Sequence, residues 1–180
     1  MRREVFGNRL RLMPWLLILR GVSGVGKSEV VTSLIRQLGS AKACDLNMDV
    51  TEPAQIEINI ETALKFEVVI AHLYDGRKNT LEPKTWISRF KDVGYQVLSF
   101  RLEISREAGK TRARDRKHSK WITSEIYDSI WDRSKRSPFI DFPSRAEIEE
   151  IPLDAEKLSA DAMCGLILSK ITSRNKKDAP

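Results

Sequence analysis

Two rhythms of apolar and polar positions take turns along this chain. Residues 15–20, WLLILR, are apolar without a break up to the final arginine, which predicts a strand buried on both faces. After Lys27 the apolar positions Val30, Val31, Leu34 and Ile35 fall at helical spacing and the run stops at Gly39. Residues 42–49, KACDLNMD, form a shorter strand candidate that ends in acidic residues. From Pro53 to Lys65 a helix carries Ile56, Ile60, Ala63 and Leu64 on one face. Residues 66–74, FEVVIAHLY, read as a third strand. The next helix has Thr80 as its cap, Pro83 in its first turn, Trp86, Phe90 and Val93 along one face, and Gly94 at its end. Strand four follows at once, from Tyr95 to Leu102.

Ser105 is placed to cap a basic helix, and Thr123 to cap another with Ile122, Ile126 and Ile130 on one stripe. Residues 133–145 break into a proline-containing loop. A short fifth strand is expected over 146–153, and Ser159 opens a last helix with Met163, Leu166, Ile167 and Ile171. Residues 173–180 read as a flexible tail, which leaves a single domain over 1–172. Strands that alternate with helices predict an α/β domain built on a parallel sheet.

Composition narrows the setting. The chain has 180 residues, 41% hydrophobic and 31% charged, which suits one globular domain. Its longest apolar run, Leu12–Leu19, has eight residues and contains Pro14, against roughly 20 for a membrane span. No Ala-x-Ala-like site follows it, so an export signal is not expected. Cys44 and Cys164 form no CxxC, and His72 and His118 stand alone; a reduced, cytoplasmic protein with no membrane partner is the expectation. The net charge of +6 is concentrated in residues 110–120, KTRARDRKHSK, where six Lys/Arg face only Asp115. That window is either an anion-binding surface or a solvated helix face paired with Asp115 or Glu107.

The chemical centre is Gly21-Val22-Ser23-Gly24-Val25-Gly26-Lys27-Ser28, which fits G-x-x-x-x-G-K-[ST] at every fixed position. Glycines let the backbone wrap closely around a phosphate, and the amides of residues 21–29, with Glu29 in the first helical turn, point at it. Lys27 reaches the β/γ oxygens, and the Ser28 hydroxyl can ligate Mg²⁺. A chance match arises on the order of once in a hundred chains of this length, and this one sits where the motif requires it, between a buried strand and an amphipathic helix. A nucleoside triphosphate is therefore the expected partner. No N-K-x-D occurs, Asp75-Gly76 are adjacent rather than spaced as D-x-x-G, and no apolar run ends in Asp-Glu. Ras-type GTPases and oligomeric motor ATPases are thereby set aside.

The chain resembles the P-loop kinase superfamily, in particular its polynucleotide-kinase-like and zeta-toxin-like branch. The resemblance is carried by the P-loop and by residues 77–116, with Arg77, Trp86, Gly94-Tyr95, Ser105-Arg106-Glu107, and Arg112 with Arg116. The segment IPLDAEKLSADAMCGLILSKI looks like the final strand and helix of such kinases. The resemblance implies a three-layer P-loop NTPase fold with a five-stranded parallel sheet in the order 2-3-1-4-5 and a basic helical lid over about 105–135. It implies ATP and Mg²⁺ as cofactors, and transfer of the γ-phosphate to a hydroxyl of a small molecule or polynucleotide end. Arg112 and Arg116 would serve the ATP phosphates or the adenine face, with Arg114 and Lys120 as lesser lid contacts.

The acceptor hydroxyl needs a carboxylate to take its proton. In these families the base lies just beyond the second strand, so Asp49 is the choice and Asp45 the alternative if that strand stops earlier. Asp49 could also face the metal, or simply cap a helix. Asp75, after the third strand, is the third candidate, with Arg77 and Lys78 beside it for an anionic acceptor. Polynucleotide kinases show an arginine shortly after the aspartate, and DVTEPAQ has none. Trp121, Tyr127 and Trp131 could stack bases, although the spacing of the last two suits a core. Two readings without transferase activity stand beside the kinase: a nucleotide-binding regulatory protein, and a nucleic-acid-binding protein using the basic helix.

Overall fold

The computed structural model describes residues 13–46, 48, 52–75, 82–115, 123–136 and 147–177. Five strands, β1 (Trp15–Gly21), β2 (Ala43–Leu46), β3 (Val68–Tyr74), β4 (Gln96–Glu103) and β5 (Glu150–Asp154), form one parallel sheet in the order β2-β3-β1-β4-β5. Six helices accompany them: α1 (Lys27–Leu38), α2 (Pro53–Ala63), α3 (Pro83–Asp92), α4 (Arg106–Arg114), α5 (Ser124–Arg136) and α6 (Ala160–Lys177). The expected strand order and class are both present.

The unbroken apolar run of β1 has a simple cause. Trp15, Leu17 and Leu19 pack with Val30, Val31 and Leu34 of α1 and with Met163, Cys164 and Ile167 of α6. Leu16 and Ile18, on the opposite face, pack with Ile56 and Ile60 of α2 and with Trp86 and Phe90 of α3. A central strand covered on both faces has no polar position to spare. Because β1 sends its connection α1 to one face and its neighbour β3 sends α3 to the other, a crevice opens at their carboxyl ends.

Several expectations change in detail. β2 ends at Leu46 rather than 49, and β5 runs from Glu150 to Asp154 rather than over 146–153. Val93 and Leu166 are 58% and 50% exposed rather than core, and Cys164 takes the inward position of α6. On α5 the buried positions are Tyr127, Ile130 and Ser134, while Ile126 is exposed and Ile122 lies outside the described residues. Ser105 and Thr123 cap their helices as expected, their hydroxyls accepting from the amides of Ala108 and Ile126 at 3.3 Å. α6 runs on to Lys177, into the segment expected as a tail. There Asn175 accepts from the Trp15 indole at 3.2 Å and Arg174 pairs with Glu149. Cys44 and Cys164 are free thiols, and burial pushes Cys44 up to about 11.

Candidate active site

The phosphate loop leaves β1 at Gly21, whose register partner is Tyr74 at the end of β3. A Cβ on Gly21 would lie 2.7 Å from the Leu102 carbonyl of β4, so the backbone can turn there only without a side chain. Gly24 adopts φ 83°, and a Cβ on it would come within 3.0 Å of the Gly109 carbonyl and 3.2 Å of the Ala113 Cβ. The loop therefore rests directly on α4. Gly26, also at positive φ, is the N-cap of α1, and Glu29 turns its Oε2 back over it.

Lys27, the first residue of α1, is 3% exposed. Its Nζ donates to the Gly21 carbonyl at 2.5 Å and the Val22 carbonyl at 2.9 Å, and stands 4.0 Å from the centre of the Tyr74 ring. The ammonium is thus held at the start of the loop by two carbonyls and a π face. Ser23 is buried, while Ser28 and Glu29 are exposed on the first turn of α1. Among the described residues, no group of three or more His, Cys, Asp or Glu side chains could hold a metal ion. The exposed Ser28 hydroxyl would fit a Mg²⁺ ion brought in on phosphate oxygens, since such an ion keeps several waters and needs few protein ligands.

Beneath the loop lies a network that sequence reading missed. Arg20, 6% exposed, donates to Glu150 at 2.5 Å and contacts Asp75 at 3.4 Å. It joins the ends of β1 and β3 to the start of β5. The available signal was a charged residue closing an otherwise apolar strand, which demands a buried partner. Asp75 is thereby fixed at the crevice wall, its amide donating to the Gly21 carbonyl at 3.2 Å. Asp45 sits level with Ile70 in the sheet, on the α1 side and four residues short of Tyr74, or ~13 Å along the strand. Desolvation pushes its carboxyl up, against a smaller pull from His72.

The segment between β4 and β5 holds α4 and α5. Part of the basic charge is neutralised at their junction: Asp128 accepts from Lys110 at 2.8 Å and from Arg106 at 2.9 Å, which holds its carboxyl below the usual range. Arg112 and Arg114 are exposed and make no ion pair among the described residues. Tyr127 is 1% exposed, with its ring stacked on Trp131, so the stacking platform for bases becomes a packing element. Asp49, Arg77, Lys78, Arg116, Lys120 and Trp121 lie outside the described residues.

No protein-family model matches the chain, and no curated protein matches it. Solved structures do. The gluconokinase from Sinorhizobium meliloti superposes with a TM-score of 0.57 at 12% identity, over 92% of this chain and 95% of that one. Shikimate kinase from Acinetobacter baumannii in complex with shikimate gives 0.55 at 15%, over 91% and 96%. The fold is that of the P-loop kinases. Deoxyadenosine kinase from M. mycoides with bound dATP is similar as well, with a TM-score of 0.52, 15% identity, and 88% and 99% covered. Among the described residues, no helix of this P-loop kinase fold is long and apolar enough to cross a membrane.

Proposed function

We propose that this protein is an ATP-dependent, Mg²⁺-assisted phosphotransferase acting on a hydroxyl of a small molecule. The reading rests above all on Lys27, buried at the start of the phosphate loop with its Nζ against Gly21 and Val22. Since such a lysine serves the β/γ end of a triphosphate and the Ser28 hydroxyl its Mg²⁺, Val22 marks the γ end, and Glu29, past Ser28 on α1, lies toward the nucleoside end. A cavity touches each end. One of about 360 Å³ borders Val22 and Asp75; another of about 540 Å³ borders Ser28, Glu29, Thr32 and Ala160. The second suits the nucleoside of the donor, and the first the acceptor.

In this reading the amides of residues 21–29 and the start of α1 cradle the phosphates, and Lys27 offsets charge on the γ-phosphoryl group as it transfers. Ser28, with Asp49 as a further candidate ligand, would hold Mg²⁺, which when bound would neutralise phosphate charge. Arg112 meets the donor from α4, and Arg116 is kept as a second candidate contact from the sequence. The acceptor oxygen forms its bond to the γ-phosphorus as the bond to the β–γ bridging oxygen breaks. ADP leaves, and the hydroxyl proton passes to a carboxylate. Asp49 remains the choice for that base, because Asp75 is engaged by Arg20 and Asp45 lies too far down its strand. The burial of Tyr127 speaks against the reading as a base-stacking nucleic-acid binder.

The test is ADP release by the full chain with Mg-ATP and a panel of nucleosides, sugars, polyols, hydroxy acids and polynucleotide ends. Acceptor-dependent release that Lys27→Ala removes and Asp49→Asn slows supports the proposal. ATP binding with no acceptor-stimulated turnover would leave a nucleotide-binding regulator instead.

A further inference from the structure

The cavity at the γ end differs from a phosphate- or carboxylate-binding pocket in what lines it. Four carboxylates, Asp75, Glu103, Asp154 and Glu156, face two cations, Arg101 and Lys135, among its described lining residues. Two of the four are engaged through both oxygens. Asp154 accepts from the Lys157 ammonium and from the amides of Glu156 and Lys157, and Glu156 accepts from the amide and hydroxyl of Ser105. The other two retain acceptor capacity. Asp75 contacts Arg20 through one oxygen at 3.4 Å, and Glu103 stands 3.9 Å from Arg101, beyond hydrogen-bond reach. The half-buried ring of Trp131 borders the same space.

We infer that this cavity takes an uncharged, polyhydroxylated acceptor of sugar or polyol size, oriented by Asp75 and Glu103 and packed on Trp131. The inference rests on the phosphotransferase reading and names its substrate class. Ionised carboxylates accept hydrogen bonds only, and hydroxyl-rich ligands are the neutral molecules that supply several donors at once. Trp131, with the Lys135 ammonium 5.0 Å from its ring centre and Tyr127 stacked on it, gives the cavity an apolar border, and 360 Å³ falls within the size range of small-molecule sites. Among the described lining residues an anionic acceptor would meet more carboxylates than cations, and no pair of guanidinium groups to receive it.

The experiment uses the full chain with Mg-ATP and reads ADP release together with the phosphorylated product. Ribose, glucose, myo-inositol and glycerol form one arm, gluconate and shikimate a second, and adenosine a third. Turnover above background with at least one uncharged polyol, and little with the acids or the nucleoside, is the expected result. Glu103→Gln, close to isosteric, should raise KM for that polyol about tenfold or more, and Glu103→Lys should shift preference toward gluconate. Preferred turnover of gluconate, shikimate or adenosine overturns the inference while leaving a kinase. Slow ATP hydrolysis that no acceptor accelerates overturns it and leaves only nucleotide binding. Failure to bind Mg-ATP removes the phosphotransferase reading, and this inference with it.

Discussion

The phosphate loop and the α4–α5 pair touch at Gly24 and Gly109, yet opposite means hold them in place. The loop is set by backbone: glycines where a Cβ would collide, a lysine 3% exposed on two carbonyls, and a buried Arg20–Asp75–Glu150 network under its first residue. The helical pair has a separate small buried cluster, Ala113 and Tyr127 with Trp131 packed against it, closed by partly exposed ion pairs to Asp128. A region with few buried contacts opens at a lower free energy than one built into the sheet. In the proposed reading the difference would suit a rigid donor site beside a more easily opened helical pair.

The sharpest way to break this contrast is Arg20→Met. It leaves two buried carboxylates without their cation, which costs about 3–5 kcal/mol and lowers Tm by roughly 6–20 °C, as calorimetry would show. A shift near zero would mean that the loop does not depend on its buried footing. Lys27→Ala acts on chemistry instead: a kcat loss of ~10²–10³-fold is expected for removing one pre-organised charge from the transferring group, with circular dichroism unchanged.

At the junction itself, Gly109→Ala puts a Cβ 1.9 Å from the Tyr127 hydroxyl, whose ring is pinned by Trp131. Overpacking of this kind costs about 1–3 kcal/mol, read as a lower urea midpoint, and Tyr127→Phe in the same chain should recover much of it. If the double variant is no better than the single one, the contact is not what sets the helix crossing.

The smallest effect belongs to Asp128→Asn, which removes the exposed clamp. Hydrogen bonds from Lys110 and then Arg106 hold the Asp128 carboxyl below its ordinary 3.8. The stabilisation is therefore complete above that value and fades as pH falls through the lower folded one. Amide exchange in α4 and α5, compared between pH 7 and about pH 3, should show that acid loosening in the wild type and lose it in the variant.

Local and repetitive features were legible from the chain alone. The strand order followed from apolar runs and family likeness, and the phosphate loop from a motif whose chemistry is its own backbone, so no distant partner was needed to read it. Helix faces were legible only in part, because Val93, Ile126 and Leu166 share helical spacing with core neighbours while the rotation of each helix on the sheet is decided by packing. Arg20 signalled only that a buried partner exists, and Gly109 signalled nothing, for the same reason. The partner that gives Arg20 its meaning, Glu150, lies 130 residues away, and the one that demands a glycine at 109 is a tyrosine on another helix. What the sequence by itself determined is the phosphate loop, because eight consecutive residues carry it; the cavity proposed for the acceptor is assembled from the ends of β3, β4 and β5 and from α5, and only the tertiary structure brings those together.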